Sequence, residues 1–138
     1  MSLANRRLAR TPVIALGGVL TFCGAYAGQT AVDGEWARDD GVLRTHIAAC
    51  GSDICAVNSW AKNPQGDEKV GDKLIMTLRE TDRDHWAGSA FDPQRNLTYS
   101  MDLSVAGDRM TTRGCMLAGI LCRGVGWTRV RRYRASRE

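Results

Sequence analysis

The side chains of this 138-residue chain that could do chemistry are few. There are two histidines, His46 and His85, and five cysteines, Cys23, Cys50, Cys55, Cys115 and Cys122. A zinc site wants thiolates and imidazoles in close pairs, commonly separated by two residues. Cys50 and Cys55 do not have that spacing, nor do Cys115 and Cys122, and neither histidine lies close to both pairs. Asp84-His85 has the composition of an acid–base pair, but successive residues of a strand face opposite ways. No Gly-x-Ser-x-Gly elbow and no phosphate-cradling glycine loop is present. Asn96-Leu97-Thr98 matches a glycosylation acceptor only at the level of chance. The expectation is therefore no catalytic residue, no metal and no cofactor: a binding role rather than an enzyme.

The cysteines fit a different chemistry once the first 27 residues are set apart. Arg6, Arg7 and Arg10 form a basic opening, residues 11–24 are mostly apolar, and Ala25-Tyr26-Ala27 offers the small-x-small pattern of a signal-peptidase site. The apolar run is about a dozen residues, short of the ~20 that span a bilayer as a helix, so residues 1–27 read as a cleaved signal peptide rather than an anchor. Phe22 before Cys23 is too bulky for lipid attachment. Four cysteines then remain in residues 28–138, and an even count behind an export signal reads as disulfides formed in an oxidising compartment, periplasmic or secreted. Four cysteines allow three pairings. The local one, Cys50–Cys55 with Cys115–Cys122, is favoured because each pair could face across the end of a hairpin.

Charge narrows the partners. The chain holds 19 Lys and Arg against 15 Asp and Glu, and three of those arginines lie in the leader, which leaves 16 against 15, a net charge of +1. That balance does not suit nucleic-acid binding, which spreads basic charge over a face. Five arginines crowd the tail, Arg129, Arg131, Arg132, Arg134 and Arg137, and could touch an anionic surface such as lipid headgroups; a solvated, frayed terminus is the plainer reading.

The elements that would position these residues are short strands. Residues 28–138 are enough for one domain with one core. Strands are expected at 34–38, 42–48, 54–61, 73–79, 85–91, 97–103, 109–113 and 125–131, with turns at Asp39-Asp40-Gly41, Gly51-Ser52-Asp53, Asp92-Pro93 and Ala106-Gly107-Asp108. Leu43, Thr45 and Ile47 share one face of the second strand; Leu97, Tyr99, Met101 and Leu103 alternate with polar residues in the sixth. Residues 62–72 form a polar loop. No helical period appears. Eight antiparallel strands in simple succession suggest an all-β, up-and-down barrel, with a two-sheet sandwich as the alternative.

In a closed barrel the first and last strands are neighbours. Arg129, in Trp127-Thr128-Arg129, can then lay its guanidinium on the indole of Trp36, in Gly34-Glu35-Trp36, a contact worth about 0.5–2 kcal/mol. This closing pair is similar to the Gly-x-Trp and terminal Arg of lipocalins. The order of motifs along the chain also resembles a family of small secreted bacterial proteins, domain of unknown function 2147. Those motifs are Gly34-x-Trp36, the Cys50-to-Cys55 loop, Trp86-Ala87-Gly88 leading to Asp92-Pro93, Tyr99, Arg113-Gly114 and Trp127-Thr128-Arg129. Members often carry a longer segment after the third strand, where this chain has only residues 62–72. The resemblance implies a lipocalin-like barrel and no established activity.

Two binding readings follow. A small hydrophobic or amphipathic ligand would sit in the barrel against Leu74, Met76, Leu78, Trp86, Tyr99 and Met101. Strands of six or seven residues, about 20–23 Å long, could equally make a barrel filled by its own side chains. The second reading is an envelope- or protein-interaction module acting through the loop Met116, Leu117, Ala118, Gly119, Ile120 and Leu121. Its apolar residues are unusual at a hairpin tip, and a disulfide at its base would preorganise it. The same loop could instead fold over the barrel as a plug.

Overall fold

A computed structural model describes residues 31–131. The expected signal peptide and Arg132, Arg134 and Arg137 of the tail lie outside the described residues. Eight strands run β1 (Gly34–Arg38), β2 (Leu43–Cys50), β3 (Asp53–Ala61), β4 (Lys73–Asp82), β5 (His85–Asp92), β6 (Leu97–Ala106), β7 (Arg109–Met116) and β8 (Leu121–Arg129). Each pairs antiparallel with the next, and β8 pairs with β1, so the sheet is a closed up-and-down barrel. The barrel expectation holds and the sandwich does not. No helix among the described residues is long and apolar enough to cross a membrane.

Alternation decides which side chains fill the interior. In β2, Leu43, Thr45 and Ile47 are buried while Arg44 and His46 are exposed. In β6, Met101, Leu103 and Val105 are buried and alternate with exposed Ser100 and Asp102 and half-buried Ser104. These rows meet Val32, Trp36, Met76, Trp86, Ala90 and Met110 in one core. Gly88 lets β4 and β5 approach closely, since a side chain there would collide with the Thr77 carbonyl.

Up-and-down topology sorts the connections between two ends. The turns after β2, β4 and β6 lie at one end, with the start of β1 and the finish of β8. The turns after β1, β5 and β7 and the long loop 62–72 lie at the other. The first end is closed. Trp36 is fully buried and its Nε1 donates to the Val32 carbonyl at 2.9 Å. Arg129 stacks on that indole, its Cζ 4.2 Å from the ring centroid, and donates to the carbonyls of Asp33 (2.8 Å) and Ala31 (2.7 Å). Gly34 has φ of +131°, which a side chain adopts with strain, and a Cβ there would lie 3.0 Å from Arg129 Nη1. The Gly-x-Trp spacing thus serves both backbone and stacking cation.

The strands are longer than the sequence pattern suggested. β4 and β6 have ten residues each, because polar residues such as Glu80 and Ser104 continue the ladders beyond the apolar rows. The largest correction is β8, which begins at Leu121 rather than residue 125. Met116 and Leu121 are paired strand ends, so the hairpin tip is only residues 117–120. Leu117 and Ala118 take positive φ there, at 52° and 55°.

Candidate functional site

Both disulfides follow the local pairing, Cys50–Cys55 with S–S 2.03 Å and Cys115–Cys122 with S–S 2.10 Å. They staple hairpins at opposite ends of the barrel: Cys50–Cys55 beside the closed end, Cys115–Cys122 below the tip of the β7–β8 hairpin. Two such bonds point to a non-reducing compartment.

The open end leads into a cavity of about 550 Å³. Its wall is built by the inward rows: Leu43, Thr45 and Ile47 from β2, Ala56 from β3, Leu74 and Met76 from β4, Tyr99, Met101 and Leu103 from β6, Met110 and Thr112 from β7, and Val125 and Trp127 from β8. Four of the six residues expected to touch a ligand, Leu74, Met76, Tyr99 and Met101, are brought together here. Leu78 and Trp86 are not. Both face inward, but Leu78 packs against the core and Trp86 lies nearer the closed end, beside a shallower depression of about 170 Å³. A period-two pattern gives the face of a strand and not the depth along the barrel axis, which is what separates these two from the others.

The wall is not wholly apolar. Trp127 Nε1 donates to Thr112 Oγ1 at 3.0 Å, so this residue of the closing motif also lines the cavity. Burial pushes the Tyr99 phenol above its ordinary pKa, helped by the nearby Asp92 carboxylate. The Tyr99 ring lies over Gly114, where a Cβ would come within 3.0 Å of it. Thr45 is 3% exposed, and its Oγ1 has no hydrogen-bond partner among the described residues.

Charged groups ring the mouth, and most are tied to one another. Arg38, only 9% exposed, donates through Nε to both oxygens of Asp40 (3.0 and 2.9 Å) and through Nη1 to Glu68 at 2.7 Å. Asp92 accepts from Arg95 Nη1 (2.7 Å), from Gln94 Nε2 (2.8 Å) and from the backbone N–H groups of Gln94 and Arg95. Burial works to raise the Asp92 pKa, but these bonds outweigh it and hold the carboxyl below its usual range. Arg95 also donates to the Asp67 carbonyl at 2.6 Å. The polar loop 62–72 is thereby strapped to the mouth by Arg38 through Glu68 and by Arg95 through Asp67. Sequence reasoning passed over Arg38, Arg95, Asp92 and Glu68, since lone charges at strand ends look like solvated surface. The one readable signal was Asp92-Pro93, in which an Asp accepts backbone N–H groups of its own turn.

Beside the mouth stands the apolar tip. Leu117 is 71% exposed, Ile120 85% and Leu121 56%. The tip does not fold inward as a plug; only its flanking strand ends, Met116 and Leu121, reach the cavity lining.

The remaining chemistry-bearing residues stay apart. His46 is on the outer face with its Nδ1 3.4 Å from Glu35, and Glu35 also accepts from the Ser59 hydroxyl. His85 is on β5, far along the sheet from His46. Among the described residues, no group of three His, Cys, Asp or Glu side chains is placed to hold a metal ion. Of the tail arginines within the described residues, Arg129 closes the barrel and Arg131 pairs with Asp108.

A family model described as "Uncharacterized protein conserved in bacteria (DUF2147)" matches residues 34–129, from the first residue of β1 to the last of β8. No curated protein and no solved structure matches the chain.

Proposed function

The chain belongs to that uncharacterised bacterial family, DUF2147, and from this premise we propose that it is an exported, periplasmic binding protein that carries a small hydrophobic or amphipathic molecule inside its barrel. The observation that carries this reading is the cavity itself. At about 550 Å³ it falls within the usual range for small-molecule sites, and its apolar wall ends in a polar rim. Strands of eight to ten residues give that space its depth along the barrel axis, and the eight-strand closure gives it its width. The two disulfides support an oxidising compartment, and the leader read in residues 1–27 supports export. The role is binding rather than catalysis: deep in the wall the polar groups include Thr45, Asn58, Tyr99, Thr112 and Trp127, and the charged ones, among them Asp92 and Arg95, stand at the rim, largely tied to one another.

A neutral naphthylamine dye that fluoresces in apolar surroundings tests this. Saturable one-to-one binding is expected, and Ala56→Phe, which fills the cavity from an inward position on β3, should abolish it while leaving the far-ultraviolet circular dichroism unchanged. A wild-type protein that shows no saturable, displaceable binding would sink the reading.

A second reading, that of an envelope- or protein-interaction module, rests on the exposure of Leu117 and Ile120. Exposed apolar side chains held on a disulfide-braced hairpin suit docking. Replacing both by Ser should leave folding and dye binding intact and weaken crosslinking to an envelope partner. Unchanged crosslinking rules the tip out as the contact.

A further inference from the structure

The charged groups at the mouth are not equivalent. Arg38 has its guanidinium occupied by Asp40 and Glu68, and Arg95 has its own occupied by Asp92 and the Asp67 carbonyl. Arg123 differs. It lines the cavity in the same alternating row of β8 as Leu121, Val125 and Trp127, yet among the described residues it makes no hydrogen bond or ion pair. Lys73 also lines the cavity with an ammonium that has no such partner among the described residues, but it belongs to the outward row of β4 that alternates with Leu74 and Met76. Asp40 feels its charge at a distance, but both Asp40 oxygens are already held by Arg38.

Its place in the sheet explains why it is left over. β1 pairs with β8 only from Trp36 to Arg38, opposite Trp127 to Arg129. The upper part of β8, from Leu121 to Val125, therefore rises beyond β1, and the turn after β1 stands beside it instead of a strand. Arg123 sits at this notch, between the apolar wall below and the solvent above. One register step further towards the tip, the Cys115–Cys122 disulfide fixes the ladder, so the position from which the arginine projects is rigid.

A guanidinium offers five N–H donors in a planar fork that matches a carboxylate or phosphate. An unoccupied one at the lip of an apolar cavity complements a molecule with an anionic head and a hydrocarbon body. Resting on the reading of the barrel as a ligand carrier, we infer that Arg123 is the headgroup anchor of the site and that the ligand is an anionic amphiphile, its acyl or alkyl chain lying along the rows of Met76, Met101 and Val125. The ligand's head stays at the notch, where water completes its solvation, so none of the buried groups has to accept a charge.

Three probes with the same twelve-carbon chain test this, followed by calorimetry: dodecanoate and dodecyl phosphate, titrated below their micelle concentrations, and dodecanol, titrated below its solubility limit. At 10 mM salt at least one anionic probe should bind the wild-type protein about fivefold or more tightly than dodecanol. The tighter of the two names the head as carboxylate or phosphate. Arg123→Gln should bring the ratio of anion to dodecanol affinity to about one, and Arg123→Lys, which keeps the charge without the fork, should restore part of the preference. The preference should shrink in 0.5 M salt. If dodecanol binds as well as both anions, or if Arg123→Gln leaves the preference intact, the anchor is wrong while the carrier reading stands. If none of the three binds, the carrier reading fails and the anchor with it.

Discussion

At the end of the barrel where Val32, Trp36 and Arg129 meet, buried apolar groups are covered by a cation that donates to two backbone carbonyls and faces the Asp108 carboxylate. At the opposite end, two charged pairs, Arg38 with Glu68 and Arg95 with Asp92, stand at an opening. The same eight strands supply both. Burial of hydrocarbon is non-directional and leaves no room, so it makes a floor. Charged hydrogen bonds are directional and tolerate water between them, so they can shape a rim without filling it. One end is built for stability and the other for access.

That contrast can be broken first at Trp36. Trp36→Ala should cost about 3–5 kcal/mol, the usual range for truncating a buried indole, measured by urea unfolding. A cost under 1 kcal/mol would mean that the floor is not where stability resides. The disulfides come next, and they test the two ends against each other. Cys50→Ser with Cys55→Ser, and Cys115→Ser with Cys122→Ser, should each lower stability by about 2 kcal/mol, because the closed loops are similarly short. Only the second pair should also weaken dye binding, since only it braces the mouth. Equal loss of binding in both would remove the distinction between the ends.

The smallest effect belongs to the rim. The Asp92 pKa is depressed in the folded protein, so its ionised form contributes stability above the unfolded carboxylate range, and that contribution disappears as pH falls through the lower folded value. Asp92→Asn should therefore destabilise by about 1.5 kcal/mol at neutral pH, in line with hydrogen bonds to a charged group. The gap between variant and wild type should narrow as the pH is lowered towards 3. A gap that is independent of pH would show that shape rather than charge holds the strap.

The closed end was the more legible of the two in the sequence, and the reason is physical. Trp36 and Arg129 belong to a motif whose two halves make sense only if the sheet closes, and strict alternation in β2 and β6 marks the inward rows. The mouth was legible only in part. Leu74, Met76, Tyr99 and Met101 were found from alternation, but Leu78 and Trp86 share that alternation at another depth. Arg123 could not be singled out, because its strand begins four residues earlier than its composition suggests. Arg-Gly-Val-Gly, residues 123–126, carries two glycines that weaken strand propensity, and the ladder with β7 overrides them.

The pairing of Trp36 with Arg129 also bears on how the chain reaches this structure. Every other ladder of the barrel joins strands that are consecutive in sequence and can form as a hairpin. The seam between β1 and β8 alone brings together residues as far apart as Asp33 and Arg129, separated by 96 positions. Neither disulfide spans it; the two bonds bridge separations of only 5 and 7 residues and so shorten the loop that must close very little. The entropy of that long closure falls on a ladder of three residue pairs. The stacked cation and its two carbonyl bonds thus sit at the step where an open, curled sheet with two free edges becomes a sealed one.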